Sequence, residues 1–293
     1  MDLPFTNRTI TSLATFHEPA SNTMAPSGLA ILMGAGPTTA AGIARILAHP
    51  AHGNMAVALL SRTGDAGLAE RISRESQGGT LRAFKTDTSE PSLTSAFNEI
   101  KSWSQSHNLK LNMAIWNIKH SHKTPFEDES ATKFGESLQT YVTGAMVFSQ
   151  LSLKWMLSQY PSDTETDSSG IETMTKKGTI VFTGTLGALR TNAGYAAYGA
   201  GRSGVRMLAQ SLAREYSARG VHVVHAIANG SIVDANTSAT PQGDSEQKEK
   251  MAKVNLGEKI RAESVGKLYL QCMNQPCDLW VHELDMRPAR EKF

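Results

Sequence analysis

The sequence predicts an α/β fold in which a single-domain, doubly wound parallel sheet of about seven strands carries helices on both faces. Two observations predict it. Short apolar runs alternate with longer segments whose apolar residues recur at helical spacing, and a glycine-rich turn follows the first run. Parallel strands covered on both faces give continuous apolar runs, whereas the covering helices give one apolar stripe each. Alternating strands and helices therefore indicate βαβ units in one sheet.

The apolar runs define the predicted strands in order. They are Leu29–Met33, Ala56–Leu60, Leu81–Phe84, Leu111–Trp116, Thr179–Phe182, Val221–Ile227 and Leu279–Leu284. Between them, apolar residues at helical spacing predict helices that contain Leu93 to Trp103, Phe148 to Met156 and Val205 to Tyr216.

Three polar segments interrupt or precede this alternation. Residues 1–27 are rich in Ser, Thr and Pro, and we interpret them as a flexible extension before a domain at 28–293. Residues 161–178 read as a long flexible insertion, and the polar stretch 237–253 lies where such folds often carry a mobile substrate lid. Both stretches are also consistent with ordinary surface loops.

Composition excludes several classes of function. The 29 basic and 27 acidic residues leave a net charge of +2, which argues against a nucleic-acid partner. No apolar run approaches the roughly 20 residues of a membrane helix, so no membrane partner is expected. The two cysteines lack the partners of a zinc site, and so few of them favour a reduced, cytoplasmic setting.

A glycine-rich turn follows the first predicted strand. Gly34 and Gly36 precede Thr38 and Thr39, which open the first predicted helix. Backbone N–H groups and the dipole at a helix N-terminus can receive a pyrophosphate. In this position, directly after the first strand, the turn predicts a dinucleotide site.

Two further strand ends are consistent with that site. Ser61 and Arg62 end the second strand, where an acidic residue would hold the ribose 2′-hydroxyl of NAD and an arginine suits the 2′-phosphate of NADP. Asp87 ends the third strand, where either an adenine contact or a helix N-cap would explain an aspartate.

A candidate catalytic group follows the fifth predicted strand. Thr185 ends that strand, Tyr198 lies thirteen residues later, and Arg202 is four residues beyond the tyrosine. Residues at i and i+4 share a helix face, so a cation would lie beside the phenol. A hydroxyl, a phenol and a fixed positive charge together suit proton donation to a substrate oxygen.

These motifs resemble those of the short-chain dehydrogenase/reductase family. Its Ser…Tyr-x-x-x-Lys centre would correspond to Thr185, Tyr198 and Arg202, and its Asn-Asn-Ala-Gly motif retains only Asn117. Gly230 and Ile232 resemble its turn beside the nicotinamide. The resemblance implies a Rossmann-like fold, NADP(H) as cofactor and a homodimer or homotetramer. It also implies that Tyr198 is the acid/base, Thr185 orients a carbonyl, and Arg202 supplies charge and holds ribose.

The chain departs from the family pattern at four positions. Thr38 and Lys119 replace glycines, Tyr141 stands where a helix asparagine would hold a relay water, and Arg202 replaces the lysine. Arginine keeps its charge but cannot give up a proton, so a relay through this position would be cut.

The substrate end of the site is less specified. We expect four side chains to shape a mid-sized apolar pocket for a small-molecule substrate: His120, His122, Tyr141 and Leu186. The leading hypothesis is an NADP(H)-dependent oxidoreductase that reduces a carbonyl or oxidises an alcohol. The alternatives are a non-redox enzyme on the same scaffold (an isomerase, cyclase or dehydratase) and a catalytically silent homologue.

Overall fold

The computed structural model describes residues 25–234, 236 and 243–291. The strands are β1 Gly28–Met33, β2 Met55–Ser61, β3 Leu81–Lys85, β4 Leu111–Trp116, β5 Thr164–Thr166, β6 Glu172–Met174, β7 Gly178–Thr185, β8 Val221–Ala228, β9 Ile232–Val233, β10 Ile260–Arg261 and β11 Glu283–Met286. The helices are α1 Thr39–Ala48, α2 Ala66–Glu75, α3 Glu90–Gln105, α4 Ala131–Leu138, α5 Gly144–Ser158, α6 Ala196–Tyr216, α7 Gly243–Asn255 and α8 Ala262–Asn274. A π-helical turn, Gln139–Thr143, joins α4 to α5.

Seven strands form one parallel sheet in the order β11-β8-β7-β4-β1-β2-β3. The chain builds outward from β1 to β2 and β3, then returns to the other side of β1 with β4. In such sheets the loops diverge at this reversal and leave a crevice at the carboxyl ends of the strands. The predicted doubly wound sheet of about seven strands is confirmed.

Two apolar layers hold the helices on the sheet. On one face, α3, α5 and α6 pack around Trp116 and Phe148, with the rings of Phe97 and Phe148 edge to face at 5.7 Å. On the other face, α1, α2 and α8 pack around Tyr269. The three predicted helical stripes all lie in the first layer, as their spacing requires.

Helix α6 approaches the π-helical turn closely through its glycines. A Cβ on Gly201 would lie 3.3 Å from Tyr141 Cδ1, and one on Gly204 would lie 3.0 Å from Val142 Cγ2. The glycines of α6 thus allow a second helical segment to approach closely. This contact positions α6 for the site described below.

The last predicted strand was misplaced. The strand is β11, Glu283–Met286, rather than Leu279–Leu284. Leu279 is 67% exposed, and Trp280 stacks on the ring of His222 with centroids 4.9 Å apart. The apolar residues before β11 thus cover the amino-terminal edge of the sheet instead of joining it.

The polar segment 161–178 also differs from the prediction, because it contains the antiparallel hairpin β5–β6. Asp167 closes its turn by accepting hydrogen bonds from the backbone N–H groups of Ser169 and Ile171. An aspartate that bonds the backbone ahead of a glycine is a turn signal, and Gly170 supplies the positive φ of 82°. Because the whole segment is polar, this turn signal did not stand out in the sequence.

The predicted extension and lid fall partly outside the described residues. Residues 1–24 and 237–242 lie outside them, whereas 25–27 contact Asn54 through backbone and side-chain hydrogen bonds. Helix α7 occupies the rest of the predicted lid. None of the helices in the described ranges is both long and apolar enough to cross a bilayer.

A buried ion cluster joins distant parts of the chain. Arg45 on α1 donates to Glu75 at the end of α2, to Asp234 directly after β9, and to Glu263 on α8. Both Arg45 and Asp234 are buried, so removal of the Arg45 cation would leave Glu263 without its partner and Asp234 with Arg71, at 3.7 Å, as its remaining cation. The cluster therefore ties α1 and α8 to the point where the chain leaves β9.

Candidate active site

A cleft of about 1690 Å³ opens at the carboxyl ends of β1, β2, β4, β7 and β8. Its volume exceeds the roughly 300–1,000 Å³ of a typical small-molecule site, so it can admit a dinucleotide together with a second molecule. Most predicted site residues line it: Gly34, Gly36, Thr38, Thr39, Ser61, Arg62, Asp87, Asn117, His120, Thr185, Leu186, Tyr198, Arg202, Gly230 and Ile232. Their individual roles remain predictions.

The glycine turn forms one end of the cleft. Gly34 has φ of 92°, and a Cβ there would lie 2.4 Å from the carbonyl oxygen of Asn117, so this position requires glycine. A Cβ on Gly36 would meet no protein atom within 4 Å, because its open side faces the cleft. Thr38 is the N-cap residue of α1, and its hydroxyl makes no capping hydrogen bond.

The turn thus presents free donors toward open space. The first backbone N–H groups of a helix point away from its axis and carry partial positive charge. With the Thr38 hydroxyl beside them and no side chain on Gly36, this end of the cleft suits a phosphate group.

The ends of β2 and β3 form the neighbouring wall. Ser61 Oγ accepts a hydrogen bond from Gly64 N at 3.1 Å, while the exposed Arg62 extends beyond the strand. Asp87 Oδ1 accepts from both the backbone N–H and the hydroxyl of Ser89, which lowers the pKa of the carboxyl group. Ser89, rather than Asp87, is the N-cap residue of α3.

The loop after β4 crosses the middle of the cleft. Asn117 donates its backbone N–H to Met33 O at 2.8 Å and its amide to Gly34 O at 3.4 Å, which joins the ends of β4 and β1. Burial lowers the pKa of His120, and the nearby His122 and Arg202 lower it further. These causes favour a neutral imidazole at this position.

His122 was wrongly expected in the substrate pocket. Its Nε2 lies 2.7 Å from the carboxylate of Glu129, and the ring does not line the cleft. The two rings of the His-x-His sequence lie edge to face, with centroids 6.4 Å apart at 72°. In the described parts of the chain, no three metal-ligating side chains come together.

The candidate catalytic pair meets at the far end of the cleft. Thr185 Oγ1 and the hydroxyl of Tyr198 are 2.5 Å apart. Thr185 ends β7 and accepts from Gly187 N at 3.3 Å, which fixes its oxygen at the start of the following turn. That turn lies on the phenol, because a Cβ on Gly187 would be 2.4 Å from Tyr198 Cε1.

Arg202 lies one helical turn beyond Tyr198 and is only 4% exposed. Its guanidinium carbon is 5.1 Å from the ring centroid of Tyr198, as the i, i+4 spacing predicted. NH1 donates to Thr183 O at 3.3 Å and NH2 to Ile118 O at 3.4 Å. The cation is therefore held between the ends of β4 and β7, with its charge beside the phenol.

Tyr141 was also wrongly expected in the substrate pocket. It is 2% exposed, does not line the cleft, and lies in the π-helical turn behind Arg202. Burial raises the pKa of Tyr141, an effect that the charge of Arg202 opposes, so the phenol stays neutral. Its hydroxyl has no hydrogen-bond partner among the described residues.

The turn after β8 closes the site from the other side. Gly230 has φ of 144°, and a Cβ there would lie 2.6 Å from Pro288 Cδ, so the tail after β11 packs against this turn. Ile232 opens β9, which pairs with β10. The tail thereby supports the turn that lines the cleft.

The sequence did not lead us to predict several residues that line the cleft. They are Thr88, Gln139, Thr140, Arg190, Thr191, Asn192 and Tyr195. For part of this set, position in the sequence could have predicted the location. The segment between Thr185 and Tyr198 joins two cleft residues, so it has to pass close to the same opening. Nothing in its composition distinguishes it from an ordinary loop.

Comparison with known proteins agrees with this architecture. A family model described as enoyl-(acyl carrier protein) reductase matches residues 36–274. No curated protein sequence matches the chain. A short-chain dehydrogenase from Rhodopseudomonas palustris is 25% identical, with 89% of this chain and 98% of that chain covered and a TM-score of 0.65.

Two further solved structures share the fold at lower identity. A 3-oxoacyl-[acyl-carrier protein] reductase from Brucella melitensis, in complex with NAD, is 15% identical over 88% of this chain and 95% of that chain, with a TM-score of 0.68. An alcohol dehydrogenase from the archaeon Thermococcus sibiricus, complexed with 5-hydroxy-NADP, is 16% identical over 91% and 98%, with a TM-score of 0.66. The family model covers most of the chain, and with this Rossmann-like sheet the chain belongs to the short-chain dehydrogenase/reductase family.

Proposed function

We propose that this protein is an NADP(H)-dependent oxidoreductase that reduces a carbonyl, or oxidises an alcohol, on a small or mid-sized molecule. The observation that carries the proposal is the 2.5 Å approach of Thr185 Oγ1 to the Tyr198 hydroxyl inside the cleft. Two adjacent hydroxyls can both bond one carbonyl oxygen, which has two lone pairs to accept them.

The opposite end of the cleft fits a dinucleotide. The uncapped start of α1 and the open side of Gly36 leave a cradle of backbone donors with no protein atom above it. A pyrophosphate matches both the charge and the shape of such a cradle. Arg62 at the end of β2 supports NADP over NAD, because a guanidinium binds a 2′-phosphate in a bidentate manner.

A nicotinamide group, when bound, supplies the hydride that a carbonyl carbon takes up. Tyr198 donates its phenolic proton to the carbonyl oxygen, and Thr185 orients that oxygen through its own hydroxyl. Hydride and proton together convert the carbonyl into an alcohol. In the reverse direction Tyr198, as the phenolate, would remove the hydroxyl proton of the alcohol, and an oxidised nicotinamide would accept the hydride from its carbon.

Arg202 stabilises the phenolate that Tyr198 becomes after proton donation. Its guanidinium carbon lies 5.1 Å from the phenol ring in a buried position, where a charge is screened weakly by solvent. Because an arginine does not give up its proton, Arg202 passes none to Tyr198. Tyr198 therefore regains its proton from water that enters the open cleft.

Titration of the protein with NADPH and NADH, followed by nicotinamide fluorescence, tests the cofactor part. We expect NADPH to bind more tightly than NADH by roughly tenfold or more, and Arg62→Gln to remove most of the difference. Arg214→Gln, on the exposed outer side of α6, is the matched control. Absence of binding at high micromolar NADPH would contradict the proposal.

A non-redox reaction on this scaffold is the second candidate. It is favoured by the two donors of Arg202 that are bonded to backbone carbonyls, since these are not free to hold a ribose. The exposed Lys119 in the loop after β4 also favours this candidate, because a long side chain that lines the cleft stands where the family pattern has a glycine. Turnover by protein stripped of nucleotide would support this candidate, and strict dependence on NADPH would exclude it.

We also propose that the protein works as a homodimer or homotetramer in the cytoplasm. The exposed Met207 on α6 gives that helix an apolar contact on its outer side. Light scattering of the purified chain tests the assembly: a monomer at all micromolar concentrations would contradict it.

A further inference from the structure

Besides Arg62 at the end of β2, two cations that line the cleft lack a protein partner among the described residues. Lys119 lies in the loop after β4 and Arg190 in the segment after β7, and both are exposed and line the cleft. Within the described ranges, neither side chain forms a hydrogen bond or an ion pair. Arg202 differs from them, because backbone carbonyls hold its guanidinium.

The charged side chains that line the cleft are mostly positive. Among the described residues that line it, the only carboxylate is Asp87, whose oxygen is occupied by Ser89. The positive side chains are Arg62, Lys119, Arg190 and Arg202. The lowered pKa of His120, which follows first from burial and then from the positive groups around it, is consistent with a positive potential.

The dinucleotide end does not account for this charge. The phosphate cradle lies at β1 and Arg62 lies at β2, whereas the Arg190 segment follows β7, which β4 separates from β1. The Arg190 segment passes over the phenol of Tyr198 and meets the loop after β4, where Thr124 N donates to Gly194 O at 2.9 Å. Lys119 and Arg190 therefore lie on two loops that contact each other, and the loop of Arg190 packs on the phenol of Tyr198.

We propose that the substrate carries an oxyanion, a carboxylate or a phosphate, which Arg190 binds with its guanidinium while Lys119 adds a second charge. This inference rests on the proposed function, and it changes the expected apolar substrate to an anionic one. A guanidinium presents its N–H groups as a planar fork that matches two oxyanion oxygens. The carbonyl to be reduced then lies at the other end of the substrate, at Thr185 and Tyr198.

Binding of matched ligands tests the inference without turnover. The probes are 4-oxopentanoate, its methyl ester and 3-oxobutylphosphonate, titrated by ligand-observed NMR into protein saturated with NADP⁺. We expect an anion to bind about tenfold or more tightly than the ester, as a charge-assisted hydrogen bond implies. The preferred anion distinguishes carboxylate from phosphate.

Variants locate the binding group. Arg190→Gln is expected to remove most of the preference for the anion and to leave ester binding unchanged, while Lys119→Gln has a smaller effect. Arg214→Gln removes an exposed cation outside the cleft and is expected to change nothing. Equal binding of acid and ester, binding of neither, or an unchanged preference in Arg190→Gln would overturn the inference.

The same mixtures separate this inference from the proposed function. Selective binding of an anion, with no reduction of any probe when NADPH replaces NADP⁺, would contradict the oxidoreductase proposal and leave the anion site standing. Reduction of ester and acid at equal kcat/KM would overturn the anion site and leave the oxidoreductase proposal standing.

Discussion

The guanidinium carbon of Arg202 lies 4.2 Å from the ring centroid of Tyr141. A cation over an aromatic face is attracted by the ring, and more strongly where both are removed from water. The carbonyls of Thr183 and Ile118 accept hydrogen bonds from the same cation. The π-helical turn that carries Tyr141 thus helps to set the position of the charge next to Tyr198.

The ring of Tyr141, rather than its hydroxyl, makes this contact. We expect Tyr141→Phe to leave the free energy of unfolding unchanged or to raise it by up to about 1 kcal/mol, because the buried hydroxyl has no partner among the described residues. Tyr269→Phe is the matched control: it deletes a buried hydrogen bond of 2.9 Å to Thr183 and is expected to cost about 1 kcal/mol. Urea unfolding measures both, and a larger loss in Tyr141→Phe than in Tyr269→Phe would be contrary to this assignment.

Removal of the Tyr198 hydroxyl should separate chemistry from binding. We expect Tyr198→Phe to lower kcat by roughly 10²- to 10⁴-fold, the usual contribution of a positioned acid. Cofactor affinity should be retained, since the hydroxyl bonds Thr185 and lies away from the glycine turn. Tyr216→Phe, at the far end of the same helix, is the control and should retain full activity. Equal losses in the two variants would argue against a role for Tyr198 as the acid.

Substitution by alanine should have different effects at the two glycines of the turn, on stability at Gly34 and on cofactor affinity at Gly36. Gly34→Ala places a Cβ 2.4 Å from Asn117 O at a positive φ, and we expect it to destabilise the fold by at least about 1–3 kcal/mol. Gly36→Ala meets no protein atom within 4 Å, so stability should change by less than about 0.5 kcal/mol. Its methyl group would instead occupy space that a phosphate needs, and affinity for NADPH should fall. Thermal unfolding with and without cofactor measures both effects. An unaltered affinity for NADPH in Gly36→Ala would argue against a phosphate-binding site at this turn.

His222 should make stability depend on pH. Burial lowers its pKa to about 4, and Lys176 and His282 add to the effect, although carbonyls of Val281 and Cys272 oppose it. The histidine of the unfolded chain titrates near pH 6.5. The contribution of neutral His222 to the free energy of unfolding is therefore complete above about pH 6.5 and is lost progressively as pH falls toward 4.

Comparison of the wild type with His222→Asn separates the pH dependence of stability due to His222 from that due to the other histidines. We expect the advantage of the wild type in unfolding free energy to shrink by about 2 kcal/mol between pH 7 and pH 5. Denaturant unfolding at both pH values measures it. A difference that stays constant with pH would mean that His222 is not buried in its neutral form.

The regular part of the fold could be predicted because each strand and helix carries its own pattern. Runs such as Leu29–Met33 are apolar throughout since both faces of the strand are covered. The glycine turn and the Thr185–Tyr198–Arg202 spacing were predictable for a similar reason, because local geometry places those groups. The first is fixed by a strand end, and in the second one helical turn places Arg202 beside Tyr198.

The remainder depends on contacts between distant residues. Arg45 reads as an exposed residue of an amphipathic helix, yet its partner Asp234 lies 189 residues away. Tyr141 could have pointed into the cleft or behind it, and only the packing of α6 against the π-helical turn decides this. Position in a motif identifies a residue, but it does not determine which way a large side chain points.

The buried cluster around Arg45 limits where the site can move. Asp234 is held by Arg45 on α1, the same helix whose first turn faces the phosphate cradle, and by this route it is tied to Glu263 on α8. A movement of Asp234 away from α1 would therefore break these buried ion pairs. The end of β9 can thus shift only together with α1, the helix that begins at the glycine turn.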